Sequence, residues 1–409
     1  MEDLLAEEPK NPLLPKLDNF KDIFQDANIS FLIGSGLSCP YFRTLGSIEI
    51  WLTELENVDL EEEAKTFIKA SLYKAYFNAS MQGNIQLRDF VPDKNEYLDE
   101  GIDPDAILNN TYKAYKDFIS ILNSILYLRR SNTVSKQVNL FTTNIDIFME
   151  KVIEDLDLQY NDGFNGIFTK RFSLSNFKKS YYQKSLQYDN ISEIPVFNIL
   201  KIHGSVTWQL RRGNILFTSL AGIKKVEEAL EGLDLLDILS LNDDMWKRKK
   251  RDLTLLEIQR EADKLEEFPD AINFLDRYEK LQVVNPTKDK FRDTTFNKNY
   301  YEILRMYANE LEKENSILVV MGFSMADEHI RDITFRAIKS NPTLKVFICA
   351  YTHAAKDIQE NLKKDQRYIE YLPNVELINP EDGFDLRKAN DYLFRPLLDR
   401  VTFKRDFKF

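Results

Sequence analysis

Cysteine is nearly absent from this chain of 409 residues: there are two, Cys39 and Cys349, and no CxxC pair. Two isolated thiols exclude a disulfide-stapled scaffold and a cysteine-rich zinc site. They fit a reducing compartment, so a cytoplasmic location and no bound metal are expected. Glycine and proline number 13 each, too few for a repetitive or low-complexity chain. No apolar run approaches the length that spans a bilayer, so no membrane association is expected. The opening MEDLLAEEPKNPLLP is acidic and proline-containing, and it fits neither a signal nor a transit peptide. Positive charge is the minority, with 55 Lys and Arg against 66 Asp and Glu and a net charge of −11. That balance works against the phosphate backbone, and no direct nucleic acid binding is expected. The one basic run, Lys247-Arg248-Lys249-Lys250-Arg251, reads as a solvated helix face, with an anionic partner surface as the alternative.

What is present is a large core. Hydrophobic residues make up 43% of the chain, with 28 Phe and 19 Tyr, enough for one large domain with insertions. Residues 1–16 carry three prolines and read as an N-terminal arm. Residues 17–409 are expected to form one nucleotide-binding domain. Two helix-patterned insertions are expected within it, at about 48–130 and 220–280, the first as a helical cap and the second as a helical hairpin over the site or an oligomer contact. Apolar strands are expected at 29–33, 138–141, 196–202, 281–284, 316–321, 344–350 and 375–378, with a hairpin turn at Gly213-Asn214. Strands alternating with helices at this spacing predict an α/β fold, a Rossmann-like doubly wound parallel sheet with a helical cap or insertion domain.

In such a sheet ligands bind beyond the carboxyl ends of the strands. The residues there are Gly34-Ser35-Gly36-Leu37-Ser38, Thr142-Thr143-Asn144-Ile145-Asp146, His203-Gly204-Ser205, Asn285-Pro286 and Gly322-Phe323-Ser324. Each group is small and polar or reactive, while the strands before them are apolar. Gly34 and Gly36 allow backbone to approach a diphosphate; a plain strand-to-helix turn is the alternative. The third glycine of GxGxxG and the lysine of GxxxxGK[ST] are missing, which removes ordinary dehydrogenases and P-loop ATPases. Asn144 and Asp146 can hold a carboxamide, a ribose hydroxyl or a water, or Asn144 can cap the next helix. His203, one of only three histidines, can accept a proton near neutral pH. His329 and His353 read as helix-face residues, and Asp327 as a helix cap.

Taken in this order, the motifs resemble the sirtuin superfamily. GSGLS is similar to its GAGxS loop, TTNID to its TQNxD element, HG to the motif of its catalytic histidine, and GFS to its GTS or GYS loop. The resemblance implies NAD as substrate and cleavage of its nicotinamide–ribose bond. It implies that Gly34, Ser35, Gly36 and Ser38 cradle the diphosphate, and that Thr143, Gly322, Phe323 and Ser324 complete the NAD contacts. Asn144 and Asp146 would hold the nicotinamide riboside and water, and His203 would be the base. The four zinc cysteines of deacylating sirtuins are missing, which points to the zinc-free NAD hydrolases of bacterial anti-phage defence. That resemblance implies a homo-oligomer and a HerA-type hexameric ATPase partner. A protein deacylase and a non-catalytic NAD- or ADP-ribose-binding scaffold subunit are the alternatives.

Overall fold

The computed structural model describes residues 20, 23–43, 47–92, 96–98, 103–129, 134–177, 179–241, 253–284, 294–351, 358, 360–361, 373–379 and 383–402. The expected arm at 1–16, the basic run 247–251, Asn285-Pro286 and His353 lie outside the described residues. Strand β1 (Asn28–Ile33) opens the fold, and four helices follow: α1 (Ser47–Asn57), α2 (Glu62–Ser80), α3 (Gly83–Asp89) and α4 (Pro104–Leu128). Then come β2 (Gln137–Thr142), α5 (Phe148–Asp155) and four short strands, β3 (Gln159–Asn161), β4 (Phe164–Asn165), β5 (Arg171–Phe172) and β6 (Tyr181–Lys184). They are followed by β7 (Ile191–Ile194), β8 (Val196–Lys201), β9 (Gly204–Arg211) and β10 (Asn214–Phe217). The second helical segment holds α6 (Ala221–Leu230), α7 (Leu255–Ala262) and α8 (Ile272–Tyr278), and ends in β11 (Leu281–Val283). The last third is α9 (Thr294–Leu311), β12 (Ser316–Met321), α10 (Glu328–Ser340), β13 (Lys345–Cys349), β14 (Val375–Ile378) and a closing helix over residues 386–402.

Seven strands form a parallel sheet in the order β14-β13-β12-β1-β2-β8-β3. This is the expected doubly wound arrangement. From β1 the chain builds outward through β2 and β8, then crosses back to lay β12, β13 and β14 on the other side. The strand order therefore reverses between β1 and β12, the position where open α/β sheets place their ligand crevice.

Alternation along the strands divides the interior into two cores, because successive side chains point to opposite faces. Ile29, Phe31 and Ile33 join Leu140, Ile199 and Val319 against α4 and the closing helix. Leu32 joins Phe141, Leu200, Leu318 and Val320 against α9 and α10. The segment read as a cap thus also covers a face of the sheet: Phe118 of α4 meets Phe31 edge-on, with ring centroids 5.2 Å apart. On the other face a polar row crosses four strands in register. Asn139 Nδ2 donates to Ser30 Oγ, Asn198 Nδ2 to Asn139 Oδ1, and Asn161 Nδ2 to Asn198 Oδ1. Buried amides satisfied only in one register lock the strands against slippage.

The two helical insertions form one body. Tyr73 of α2 stacks on Tyr278 of α8 at 4.3 Å, Phe67 packs on Phe268 at 4.9 Å, and the Trp51 indole donates to the Leu253 carbonyl at 3.2 Å. The strand expected at 281–284 does not enter the parallel sheet. Leu281–Val283 pairs antiparallel with β9 in a second, five-stranded sheet, ordered β11-β9-β10-β5-β4. So short a stretch, Leu281-Gln282-Val283, carries no signal for which sheet receives it. The hairpin turn sits one residue earlier than expected, at Arg212-Gly213, both with positive φ (51° and 73°). Two left-handed residues in succession make the mirror-type turn that matches strand twist. Arg212→Asn is therefore expected to raise stability by about 1 kcal/mol, since Asn tolerates this conformation better; an unchanged or lowered melting temperature would count against it.

Candidate functional site

The switch point is built by backbone meeting backbone. Gly34 N–H donates to the Met321 carbonyl and Gly36 N–H to the Gly322 carbonyl, both at 2.9 Å. A Cβ on Gly34 would stand 2.4 Å from the Gly322 oxygen, and one on Gly36 would stand 2.8 Å from the Gly322 Cα. Gly322 itself has φ +62°, a conformation that favours glycine. The first and last of the sequence motifs are thus a single wall. Phe323 is buried beside it, while Ser35 and Ser324 are exposed.

The second strand end is tied to the first. Thr143 N–H and Thr142 Oγ1 both donate to the Ile33 carbonyl, at 3.0 Å each, and the Asn144 N–H returns to Thr142 Oγ1 at 3.0 Å. Asn144 is only 4% exposed, and its Nδ2 donates to Ser38 Oγ at 3.1 Å. Ser38 Oγ in turn lies 2.8 Å from the Tyr115 hydroxyl, brought in by α4. Burial, and then the nearby Asp146, pushes that phenol far above its ordinary value, so it stays neutral. With Nδ2 committed, the amide oxygen is the free end of Asn144. Oδ1 is buried and has no partner among the described residues. A buried acceptor left in this state costs free energy unless something donates to it.

Asn144 is not a helix cap. Helix α5 starts later, at Phe148, and Asp146 Oδ1 accepts the Phe148 N–H at 3.1 Å. The carboxylate of Asp146 therefore orders the turn after Asn144. Beneath that turn lies Lys201, the last residue of β8, whose side chain is 2% exposed. Its Nζ donates to the carbonyls of Asp146 and Asn144 and pairs with Glu150 Oε1 at 3.0 Å. Burial pushes the Glu150 carboxyl up, against the opposing pull of Lys201. A lysine inside the apolar run Val196-Phe197-Asn198-Ile199-Leu200-Lys201 was the visible signal for this clamp, and composition alone gives it no role.

The third strand end supplies His203. The following β9 is bound to the same turn, since Val206 N–H donates to the Ile145 carbonyl at 3.1 Å. His203 Nε2 lies 3.3 Å from Asp327 Oδ2, out of line for a hydrogen bond, and its ring stacks near Tyr300 of α9 at 6.4 Å. Burial, and then Asp327, pushes the Tyr300 phenol up. Asp327 caps α10 as expected: Oδ1 accepts the Ile330 N–H at 3.1 Å. His329 is exposed in the first turn of that helix. The crevice therefore has one half around Ser38, Asn144 and Asp146 and another around His203, Asp327 and Tyr300. The Val206–Ile145 backbone bond ties the strand after His203 to the turn that carries Asn144 and Asp146.

Among those residues no group of three or more His, Cys, Asp and Glu could hold a metal ion, and no helix is long and apolar enough to cross a membrane. No protein-family model matches the chain, and comparison with curated proteins returns no similar sequence.

Proposed function

We propose that this chain is an NAD glycohydrolase, cleaving the nicotinamide–ribose bond to give nicotinamide and ADP-ribose. The observation that carries the reading is the buried, unpartnered Asn144 Oδ1 at a topological switch point walled by bare glycine backbone. An acceptor held there suits a ribose hydroxyl, the nicotinamide carboxamide or the attacking water. The glycine wall lets a diphosphate approach the backbone of Ser35, Gly36 and Gly322. Thr143 and Ser324 stand at the rim for ribose and phosphate, with Phe323 packed behind them. Bond cleavage leaves a cationic, oxocarbenium-like ribose, which fixed polar groups stabilise better than mobile water does. In this reading Asp146 sets the turn and adds negative charge, while His203 takes a proton from water or a ribose hydroxyl. The regulatory part of the reading rests on the resemblance: a homo-oligomeric effector of anti-phage defence, held in check until a HerA-type ATPase partner signals.

The test is to follow NAD, nicotinamide and ADP-ribose by chromatography, using the full chain with and without a HerA-type ATPase. Nicotinamide release without any acylated peptide is expected. His203→Ala and Asn144→Ala are each expected to slow release at least about a hundredfold, with the circular dichroism spectrum retained. No NAD loss in any condition, or NAD loss in both variants as fast as in the wild type, would overturn the proposal. Consumption only with an acyl-lysine peptide would make the chain a deacylase. A melting shift with ADP-ribose and no product would make it a binding subunit.

A further inference from the structure

The sequence assigns Asp327 to the start of α10 and gives it nothing else to do. In the structure its two carboxylate oxygens face different ways. Oδ1 accepts the Ile330 N–H at 3.1 Å, and Oδ2 stands 3.3 Å from His203 Nε2. The pair is largely shielded, with side chains 18% and 13% exposed. The loop leading into Asp327 is also held: Arg331 Nη1 donates to the Met325 and Ala326 carbonyls at 3.1 and 3.3 Å, and Met325 sits at φ +57°. The loop that ends in Asp327 is thus braced in one conformation. Tyr300 lies across the imidazole at 6.4 Å with 24° between the planes, and the His203 carbonyl accepts the Val284 N–H at 2.8 Å. The histidine's ring plane and its backbone are both set.

From this geometry we infer that Asp327 is a positioning residue that fixes the tautomer and orientation of His203. Nε2 is buried, and its nearest polar neighbour is the Asp327 carboxylate at 3.3 Å, out of line for a hydrogen bond as the ring stands. An ionised carboxylate attracts a proton and can only accept one, so the imidazole proton is drawn to Nε2 and Nδ1 is left as the acceptor. Nδ1 makes no hydrogen bond with the described residues and is the atom that can take a proton from a substrate. The same residue that starts α10 therefore also arms the base, which couples the Gly322–Asp327 loop to the histidine. The catalytic meaning rests on the NAD-cleaving reading; the tautomer does not.

The experiment is ¹⁵N NMR of the imidazoles in the full chain, in their neutral form. The chain has three histidines, and His203→Gln assigns the signal. The wild-type protein is expected to show a protonated Nε2 and a bare Nδ1. Asp327→Asn keeps a good cap, with its amide oxygen taken by Ile330, so it turns an NH₂ toward His203. The expected result is the opposite tautomer, with kcat for NAD cleavage down by about a hundredfold or more and KM changed by less than a factor of a few. Asp327→Ser retains the cap without reaching the imidazole, and a mixed tautomer is expected. The same tautomer in all three proteins would reduce Asp327 to a cap and overturn the inference. An inverted tautomer in Asp327→Asn, with a wild-type protein that cleaves no NAD, would leave the positioning role standing and remove the NAD reading.

Discussion

Gly34→Ala is expected to leave little or no folded protein. The added Cβ would lie 2.4 Å from the Gly322 oxygen, 2.7 Å from the Phe323 Cα and 2.9 Å from the Gly322 carbon. All three neighbours are backbone, so no side chain can swing away. The clash can be relieved only by parting β1 from β12 at the centre of the parallel sheet, where the Gly34 N–H to Met321 and Gly36 N–H to Gly322 bonds would be lost. Overpacking a well-packed interior costs about 1–3 kcal/mol when side chains can adjust. A backbone-on-backbone contact allows no such adjustment, and a loss above about 4 kcal/mol is expected, a large share of a domain's total stability. Gly36→Ala, with its nearest contact at 2.8 Å, should follow in the same direction. Gly213→Ala provides the contrast, because its Cβ would meet nothing within 4 Å. It pays only for its φ of +73°, about 1 kcal/mol. Thermal melts of the three variants check the order. A Gly34→Ala protein that melts within a few degrees of wild type would show that the two glycine loops are not in contact.

The parallel sheet was readable because its long strands are apolar runs set apart by helices, and six of the seven expected runs belong to it. The seventh sheet strand, Gln159–Asn161, is short, polar and at the edge, and pattern did not show it. Strand ends near Gly34, Asn144, His203 and Gly322 were readable for the same reason: in a parallel sheet, sequence position after an apolar run is spatial position at one edge. What this logic misses is anything that depends on long-range pairing. Leu281–Val283 looks like the other strands, yet it pairs with β9 outside the parallel sheet. Residues 48–130 and 220–280 look like separate insertions, yet Tyr73 and Tyr278 stack between them. The distance from Asp327 to His203 spans 124 positions of chain, and neither residue's neighbours predict the other. Tyr115 is similar: on a helix of apolar stripe it reads as core, and only the fold brings its hydroxyl to Ser38. Pattern locates elements, while partners come from topology.

Lys201 makes contacts of the same long-range kind, to the Asn144 and Asp146 carbonyls and Glu150, and its removal should be the most damaging change outside the glycine wall. Lys201→Met keeps the volume and the apolar stem but removes the ammonium. The carbonyls of Asn144 and Asp146 then lose their donor, and Glu150 keeps a charge facing the interior with no cation at 3.0 Å. Breaking a buried ion pair from one side costs about 3–5 kcal/mol, more than the intact pair contributes, because the remaining charge is stranded. The pH dependence of that loss has a definite sign. Burial already holds the Glu150 carboxyl above the ordinary range, and without Lys201 both of that lysine's lowering contributions go, leaving one backbone hydrogen bond against burial and the charge of Asp146. A carboxyl raised on folding binds more protons in the native than in the unfolded state. Its destabilising effect is therefore absent below the unfolded pKa and grows as pH rises through the folded one. Lys201→Met should accordingly lie closer to wild type at pH 5 than at pH 8 in denaturant melts. Lys201→Met/Glu150→Gln should recover part of the loss at pH 8, since no charge is left to strand. Recovery of stability need not restore chemistry: the double variant still lacks the donor that holds the Asn144 turn, so NAD cleavage should stay low while the fold returns. Equal stability losses at both pH values, with no recovery in the double variant, would mean that Lys201 acts through its packing and not through its charge.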